Sequence, residues 1–206
     1  MHISDGVLPI SVAVGCGVAS LAIAAWSTRQ TASDDLPKVA VVTASFFVSS
    51  LIHVPLGPTS VHLLIPGLVG VLLGRSAFLA ILLGVLLQSL LFSFGGLTAL
   101  GANALMMGIP ALICGLLFNK FRGTTQKQNV IAGALAGGGG TLLAATLLAL
   151  LLATGGEDFF GVMKLALLAH LPVFVVEGLV SGFTVSFLFR VKPDLLEQRL
   201  GALLQG

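Results

Sequence analysis

Long apolar segments separated by short polar stretches follow one another along the whole chain. Most of these segments approach the ~20 residues that a helix needs to cross the ~30 Å hydrocarbon layer of a membrane. Segment 60–74 is shorter and contains Pro66, so it is expected to be tilted or only partly inserted. The pattern predicts an all-α polytopic membrane helix bundle with about seven transmembrane segments, or six as the fallback. The predicted segments are 7–26, 39–56, 60–74, 76–94, 103–119, 130–153 and 162–189.

Composition places the whole chain in the membrane. Hydrophobic residues make up 56% of it and charged residues only 9%, which is far too little charge for a water-soluble fold. We therefore expect one integral membrane domain over 1–206, with 1–6 as an N-terminal loop and 191–206 as a cytoplasmic amphipathic tail. The chain has no Walker-type phosphate loop, so any ATP chemistry must come from other proteins. Its small net positive charge of +2 comes from basic residues in the loops between apolar segments and does not indicate a nucleic-acid-binding surface.

The basic residues predict which side each loop faces. If the N-terminus lies outside, nine of the ten Lys and Arg residues fall in inner segments, and only Lys164 lies toward the outside. Cytoplasmic loops carry the excess of Lys and Arg, so the predicted topology is N-out and C-in. The start of the chain then shares the outer face with the loop that runs from His53 to His62.

The chain begins Met1-His2, a pair that can chelate a metal ion. The Met1 amine, the His2 amide nitrogen and the His2 imidazole Nδ1 can close adjacent five- and six-membered rings on one ion. Three nitrogens in a plane favour Ni(II) or Cu(II), with Co(II) possible. Either His53 or His62 could supply a fourth nitrogen and complete the square.

Two further groups of polar residues lie inside apolar surroundings. Gln88, Thr98 and Asn103 flank a glycine-rich break, which predicts either a half-inserted loop over a substrate site or a plain re-entrant turn. His170 and Glu177 are seven residues apart, so they project from nearly the same face of the last segment. Ionisable groups at this depth usually face the bundle interior. We expect them to bond other helices or the terminal loop, and Glu177 could also take up protons released by a metal.

Four motifs, in this order along the chain, resemble those of the CbiM/NikM family. Members of that family are the substrate-capture (S) components of energy-coupling factor transporters for cobalt and nickel. The motifs are the start from Met1 to Leu8, the loop from Val54 to His62, the segment from Gln88 to Asn103, and the segment from Ala169 to Glu177.

The resemblance implies a particular ligand set. In the family the N-terminal loop folds into the bundle and four nitrogens hold the metal; by position these are the Met1 amine, the His2 amide, the His2 imidazole and the His62 imidazole. It also implies a polar network around the ligands, onto which Gln88, Thr98 and Asn103 map. His53, His170 and Glu177 remain further candidates near the site. Phe94 is a departure, because relatives often carry Asp or His just before the Gly-Gly pair.

The resemblance also implies a function. The chain is expected to capture Ni²⁺ or Co²⁺ as a transported substrate in a prokaryotic cytoplasmic membrane, with no organic cofactor and no enzymatic activity of its own. The expected partners are a membrane coupling (T) subunit, two ABC ATPase subunits and a small accessory membrane subunit. Two alternatives remain: a self-sufficient channel or secondary carrier, and an intramembrane metalloenzyme.

Overall fold

The computed structural model describes residues 2–56, 59–156 and 159–197, with residues 53–56 and 59–62 described by their backbone alone. Within these ranges the chain forms a bundle of seven α-helices with one short hairpin of two strands, so the predicted helical membrane fold is confirmed. The helices are α1 Ile10–Gln30, α2 Leu36–Ser49, α3 Pro66–Leu73, α4 Ala77–Phe92, α5 Leu100–Phe121, α6 Gln126–Ala153 and α7 Phe160–Val191, and the strands are β1 His53–Leu56 and β2 Thr59–His62.

The two longest helices, α6 and α7, pack against each other along most of their length. They contain 28 and 32 residues, or roughly 42 and 48 Å at 1.5 Å per residue. A capping box begins α6: the Thr125 hydroxyl accepts from the Gln128 amide, and the Gln128 side chain accepts from the Thr125 amide. The box satisfies backbone donors that the first helical turn leaves without partners.

Helix α3 is short and almost entirely buried between α5 and α6. A Cβ added at Gly67 or Gly70 would collide with the backbone of Ala136 or Ala111, so the absence of side chains lets these helices touch. Its eight residues reach only about 12 Å. In the predicted segment 60–74, which was expected to be tilted or only partly inserted, only Pro66–Leu73 is α-helical, and the first residues form a strand and a non-helical connection.

The predicted segment 39–56 is also wrong at its C-terminal end, because α2 stops at Ser49. Residues His53–Leu56 pair antiparallel with Thr59–His62, and His53 lies opposite His62 in the register. Val54, Thr59 and Val61 are β-branched residues, which favour extended backbone, and Pro55 disfavours the helical region for the residue before it. A hairpin therefore replaces the predicted end of the helix.

Five helical stretches are long and apolar enough to cross a membrane, by length and composition, in the described part of the chain. One of them, Pro66–Phe92, contains both α3 and α4, with a break at Gly74 where φ is 54° and ψ is −117°. Large apolar side chains point away from the bundle, such as Val18 on α1 and Phe183 on α7, which are 65% and 73% exposed. Such a surface suits lipid, and the protein is a multi-pass membrane protein.

The inner segments predicted from the basic residues meet at one end of the bundle. The Ser27 hydroxyl donates to the Arg75 carbonyl, and the Lys38 ammonium donates to the Leu195 carbonyl. Arg122 donates to the carbonyl of Leu196, which is buried in a 3₁₀ turn, Pro193–Leu196, that follows α7. In the predicted tail 191–206, the described part is thus the end of α7 and this turn, and 198–206 lie outside the described residues. The side of the membrane that this end faces stays a prediction.

Candidate metal site

The N-terminal loop enters the opposite end of the bundle and is fixed there by Asn103. The Ile3 amide donates to Asn103 Oδ1 at 2.8 Å, and Asn103 Nδ2 donates to the Ile3 carbonyl at 2.9 Å. Asn103 is fully buried, and Ile3 is only 2% exposed within the main apolar core. Since both polar groups of one peptide residue are paired with one side chain, the backbone next to His2 is held in a defined orientation.

The His2 ring is held by Gln88, another fully buried side chain. His2 Nε2 lies 2.8 Å from Gln88 Oε1. With the amide oxygen as acceptor, Nε2 carries the proton and Nδ1 carries the lone pair. A histidine that binds metal through one ring nitrogen commonly donates through the other in this way. The contact therefore favours the tautomer that the predicted chelate requires.

Phe94 lies against the same ring. The centroids of the His2 and Phe94 rings are 5.8 Å apart and the planes are tilted by 33°. Phe94 in turn lies 5.7 Å from Phe92. The aromatic ring of Phe94 thus packs against the His2 imidazole and restricts its orientation.

Two glycines allow the loop between α4 and α5 to approach the N-terminal loop. Gly95 and Gly96 both have φ of +85°, a conformation that L side chains rarely adopt. A Cβ at Gly95 would crowd Asn103 and the His2 side chain, and one at Gly96 would collide with the Asp5 carboxylate. The glycine-rich break noted in the sequence therefore lies directly against the residues that follow Met1.

Thr98 contacts Asp5 in this structure. Asp5 Oδ1 accepts hydrogen bonds from the Thr98 backbone amide, at 2.8 Å, and from the Thr98 hydroxyl. The hydroxyl bond is the main reason that the pKa of the exposed Asp5 carboxyl lies below its ordinary value. Asp5 was not among the residues predicted from the sequence; the available signal was an acidic residue three positions after His2, the only Asp or Glu in the first 30 residues.

Only part of the predicted ligand set lies among the residues whose side chains the structure describes. Met1 is outside the described residues, and His53 and His62 are described by backbone alone. The hairpin register places the backbones of these two histidines side by side. The assignment of Met1 and His62 as ligands stays a prediction, as does the choice of His62 over His53.

His170 and Glu177 are buried in α7, and their described hydrogen bonds do not go to the residues of the N-terminal loop. His170 Nδ1 lies 2.6 Å from the carbonyl oxygen of Ala166, one turn earlier in the same helix. Glu177 accepts hydrogen bonds from the backbone amides of Leu64 and Ile65 and from the hydroxyl of Thr141 on α6. Thr141 was not among the residues predicted from the sequence, although it directly follows the glycine run 137–140 in an apolar part of α6.

The arrangement can supply nitrogen ligands through the main chain. No group of three or more His, Cys, Asp and Glu side chains that could hold a metal lies within the described residues. His2 carries an amide nitrogen and an imidazole in one residue; Gln88 contacts the ring, and Asn103 holds the backbone of the next residue, Ile3. This end of the bundle therefore presents a backbone nitrogen and an imidazole from one residue, a pair that a group of clustered side chains would not reveal.

The chain is similar to known transport proteins over nearly its full length. The family model CbiM, described as a cobalt uptake substrate-specific transmembrane region, matches residues 2–195. A putative metal transport protein of Haemophilus influenzae is 35% identical, over 96% of this chain and 98% of the relative. A putative fused nickel transport protein NikMN of Archaeoglobus fulgidus is 30% identical, over 97% of this chain and 69% of the relative.

A solved structure has the same fold. The crystal structure of a transition metal transporter superposes with a TM-score of 0.77 and 25% identity, over 100% of both chains. The helical bundle, the length of the family match and this superposition agree with the resemblance carried by the four motifs. The chain belongs to the CbiM family of membrane transport proteins.

Proposed function

We propose that this protein captures a divalent transition metal ion, Ni²⁺ or Co²⁺, as the substrate-specific subunit of an ATP-driven energy-coupling factor transporter. The ion is the transported substrate, and its ligands are the Met1 amine, the His2 amide and imidazole, and the His62 imidazole. The contact between His2 Nε2 and Gln88 Oε1 carries the proposal, because with Nε2 as the donor Nδ1 holds the lone pair that the chelate requires. The names of the relatives, which include nickel transport, support the same class of ion.

Transport across the membrane is assigned to the assembled complex. A membrane coupling subunit and two ABC ATPase subunits supply the energy, with a small accessory membrane subunit, and the site is loaded from outside the cytoplasmic membrane. The lack of a Walker-type phosphate loop in this sequence fits that division. A self-sufficient channel or carrier would instead take up metal in vesicles that contain the purified chain and no ATP.

The decisive experiment lengthens the chain by two residues before Met1. The extension removes the amine from the ring system, so we expect Ni(II) and Co(II) affinity, measured by calorimetry on the purified chain, to be lost. The same two residues added after Gly206 are the control, and that variant should bind as the unmodified chain does. Unchanged affinity in the N-terminal extension would show that the terminal chelate is not the site.

A further inference from the structure

A buried carboxylate on α7 holds the backbone that leaves the hairpin. Glu177 is 0% exposed in the middle of a 32-residue helix. Its Oε1 accepts from the Leu64 amide at 2.7 Å and from the Ile65 amide at 3.1 Å, and its Oε2 accepts from the Thr141 hydroxyl. A carboxylate at this depth is costly unless it is paired, and here three donors converge on it.

The backbone that Glu177 holds is strained. Ile65 adopts a left-handed conformation, with φ of 48° and ψ of 36°, which is an outlier for a β-branched residue. It is the N-cap of α3, where no side chain of its own segment caps the helix, and Pro66 has no N–H. The carboxylate from α7 thus accepts from the amide of this N-cap residue and from the amide before it, near the favourable N-terminal end of α3.

The held segment begins two residues after His62. The Leu63 amide donates to the Ile52 carbonyl at 3.1 Å, which extends the hairpin ladder by one step. The next two amides, those of Leu64 and Ile65, go to Glu177. The end of β2 is therefore fixed on one side by the residue before β1 and on the other by α7, which also adjoins β2.

We propose that Glu177, supported by Thr141, is a positioning residue that sets where the backbone of His62 stands relative to the N-terminal chelate. The inference rests on the proposed function, in which His62 is the fourth ligand. Glu177 acts through the turn at Leu64 and Ile65 and does not itself contact the metal. All three of its partners are hydrogen-bond donors, so an uncharged side chain of the same shape that offers an acceptor oxygen can hold the turn in the same position.

This last property gives a test that separates positioning from packing. Glu177→Gln keeps an oxygen for the two amides and a polar group for Thr141, so its Ni(II) affinity should stay within about threefold of the unmodified chain. Glu177→Ala removes the acceptor, and the affinity should fall about 10- to 100-fold, as for other groups that orient a metal ligand. The Ni(II) absorption spectrum of this variant should resemble that of His62→Ala, which has lost the fourth nitrogen.

Combining the two substitutions sharpens the result. If Glu177 acts only through His62, then Glu177→Ala should cause no further loss of affinity in a chain that already carries His62→Ala. Ser181→Ala is the matched control, because Ser181 is equally buried one turn along α7 and its hydroxyl has no hydrogen-bond partner among the described residues. That control should bind metal with unchanged affinity and spectrum.

Each outcome is informative. Additive losses, or a four-nitrogen spectrum in Glu177→Ala, would overturn the positioning role and leave the proposed function standing. Full affinity and an unchanged spectrum in His62→Ala would instead remove the fourth-ligand assignment. If Glu177→Ala does not fold, Thr141→Val is used; it frees one carboxylate oxygen, and its loss of a few-fold in affinity should likewise vanish in the His62→Ala background.

Discussion

The two ends of the bundle are both closed by segments near the chain termini, but by different means. At the N-terminal end, specific side-chain atoms meet specific partners: His2 meets Gln88, and Ile3 meets Asn103 through both of its peptide groups. At the C-terminal end, Lys38 and Arg122 donate to backbone carbonyls, and Leu196 fills an apolar gap. Each contact at the C-terminal end is a single bond from a long side chain to one carbonyl, which leaves the bonded residue free to turn. At the N-terminal end Asn103 holds Ile3 through two bonds, and Gln88 contacts one particular ring nitrogen of His2, which is the degree of order that a metal site needs.

The largest expected effect comes from removing Asn103. Asn103→Ala leaves the buried amide and carbonyl of Ile3 without partners, and we expect about 100-fold weaker Ni(II) affinity in calorimetry, or roughly 2.7 kcal/mol. Asn129 offers a matched control, because it is also buried and donates twice to backbone, to Gly123 and Thr125. Asn129→Ala should lower thermal stability and leave metal affinity unchanged. Equal losses of Ni(II) affinity in both variants would show that the N-terminal end of the bundle has no special role in metal binding.

The next effect concerns the C-terminal end. Leu196 is 3% exposed and packs in a cluster with Val71, Phe118 and Val185. Leu196→Ala should cost about 2 kcal/mol of stability, near the lower limit for a buried leucine because this terminal site can partly collapse. The thermal midpoint in detergent should fall while Ni(II) affinity stays the same. The half-buried Leu195 is the control and should cost less; a large loss of affinity in Leu196→Ala would mean that the two ends are coupled.

The third effect is a dependence of affinity on pH. Protons compete with the metal for the terminal nitrogens, and a free α-amino group has a pKa of about 7.7–8.0. Affinity should therefore fall at least about tenfold for each pH unit below about 7.5. The pKa of Asp5 is lowered, so the stability from its bonds is present above the ordinary carboxyl pKa and is lost only as pH falls through the lower folded value. Asp5 thus contributes nothing to the change between pH 8 and 6, and constant affinity over that range would argue against the amine as a ligand.

The smallest effect is expected at the edge of the N-terminal site. Thr98→Val removes the hydroxyl bond to Asp5 and keeps the backbone amide bond, so Ni(II) affinity should fall less than about threefold. The pKa of Asp5 should rise toward its ordinary value, which carbon NMR of labelled Asp can follow. Thr98→Ser retains the hydroxyl and should change neither quantity. A loss of Ni(II) affinity as large as that of Asn103→Ala would show that the contact between Thr98 and Asp5 is also needed to position the metal ligands.

The long helices were predictable because each one is a continuous apolar run. Segments 130–153 and 162–189 differ from α6 and α7 by only a few residues at their ends. The stretch from residue 50 to 65 was not predictable in the same way, because its apolar residues form a hairpin and a strained turn. Hydrophobicity predicts that such residues are buried, but a strand and a short buried helix leave the same apolar signal.

In the candidate site, too, some features were predictable from the sequence and others were not. His2 was predictable because its chelating atoms are neighbours in the chain, and Gln88, Thr98 and Asn103 because polar residues among apolar ones need partners. Their hydrogen-bond partners were not predictable, because each bond joins residues that are 86 to 113 positions apart in the chain. These bonds join His2 with Gln88, Thr98 with Asp5, and Glu177 with Leu64.

By itself the sequence determined the membrane class, the long helices, the CbiM family motifs and the chelating capacity of the first two residues, because each of these depends on local composition or on atoms adjacent in the chain. Only the tertiary structure decided that Gln88 contacts Nε2 of the His2 ring and that Phe94 packs on that ring. It also decided that Glu177 accepts hydrogen bonds from the turn after His62. These features depend on the close approach of distant backbones, which glycines such as Gly95 and Gly67 permit and which a linear pattern of polarity does not record.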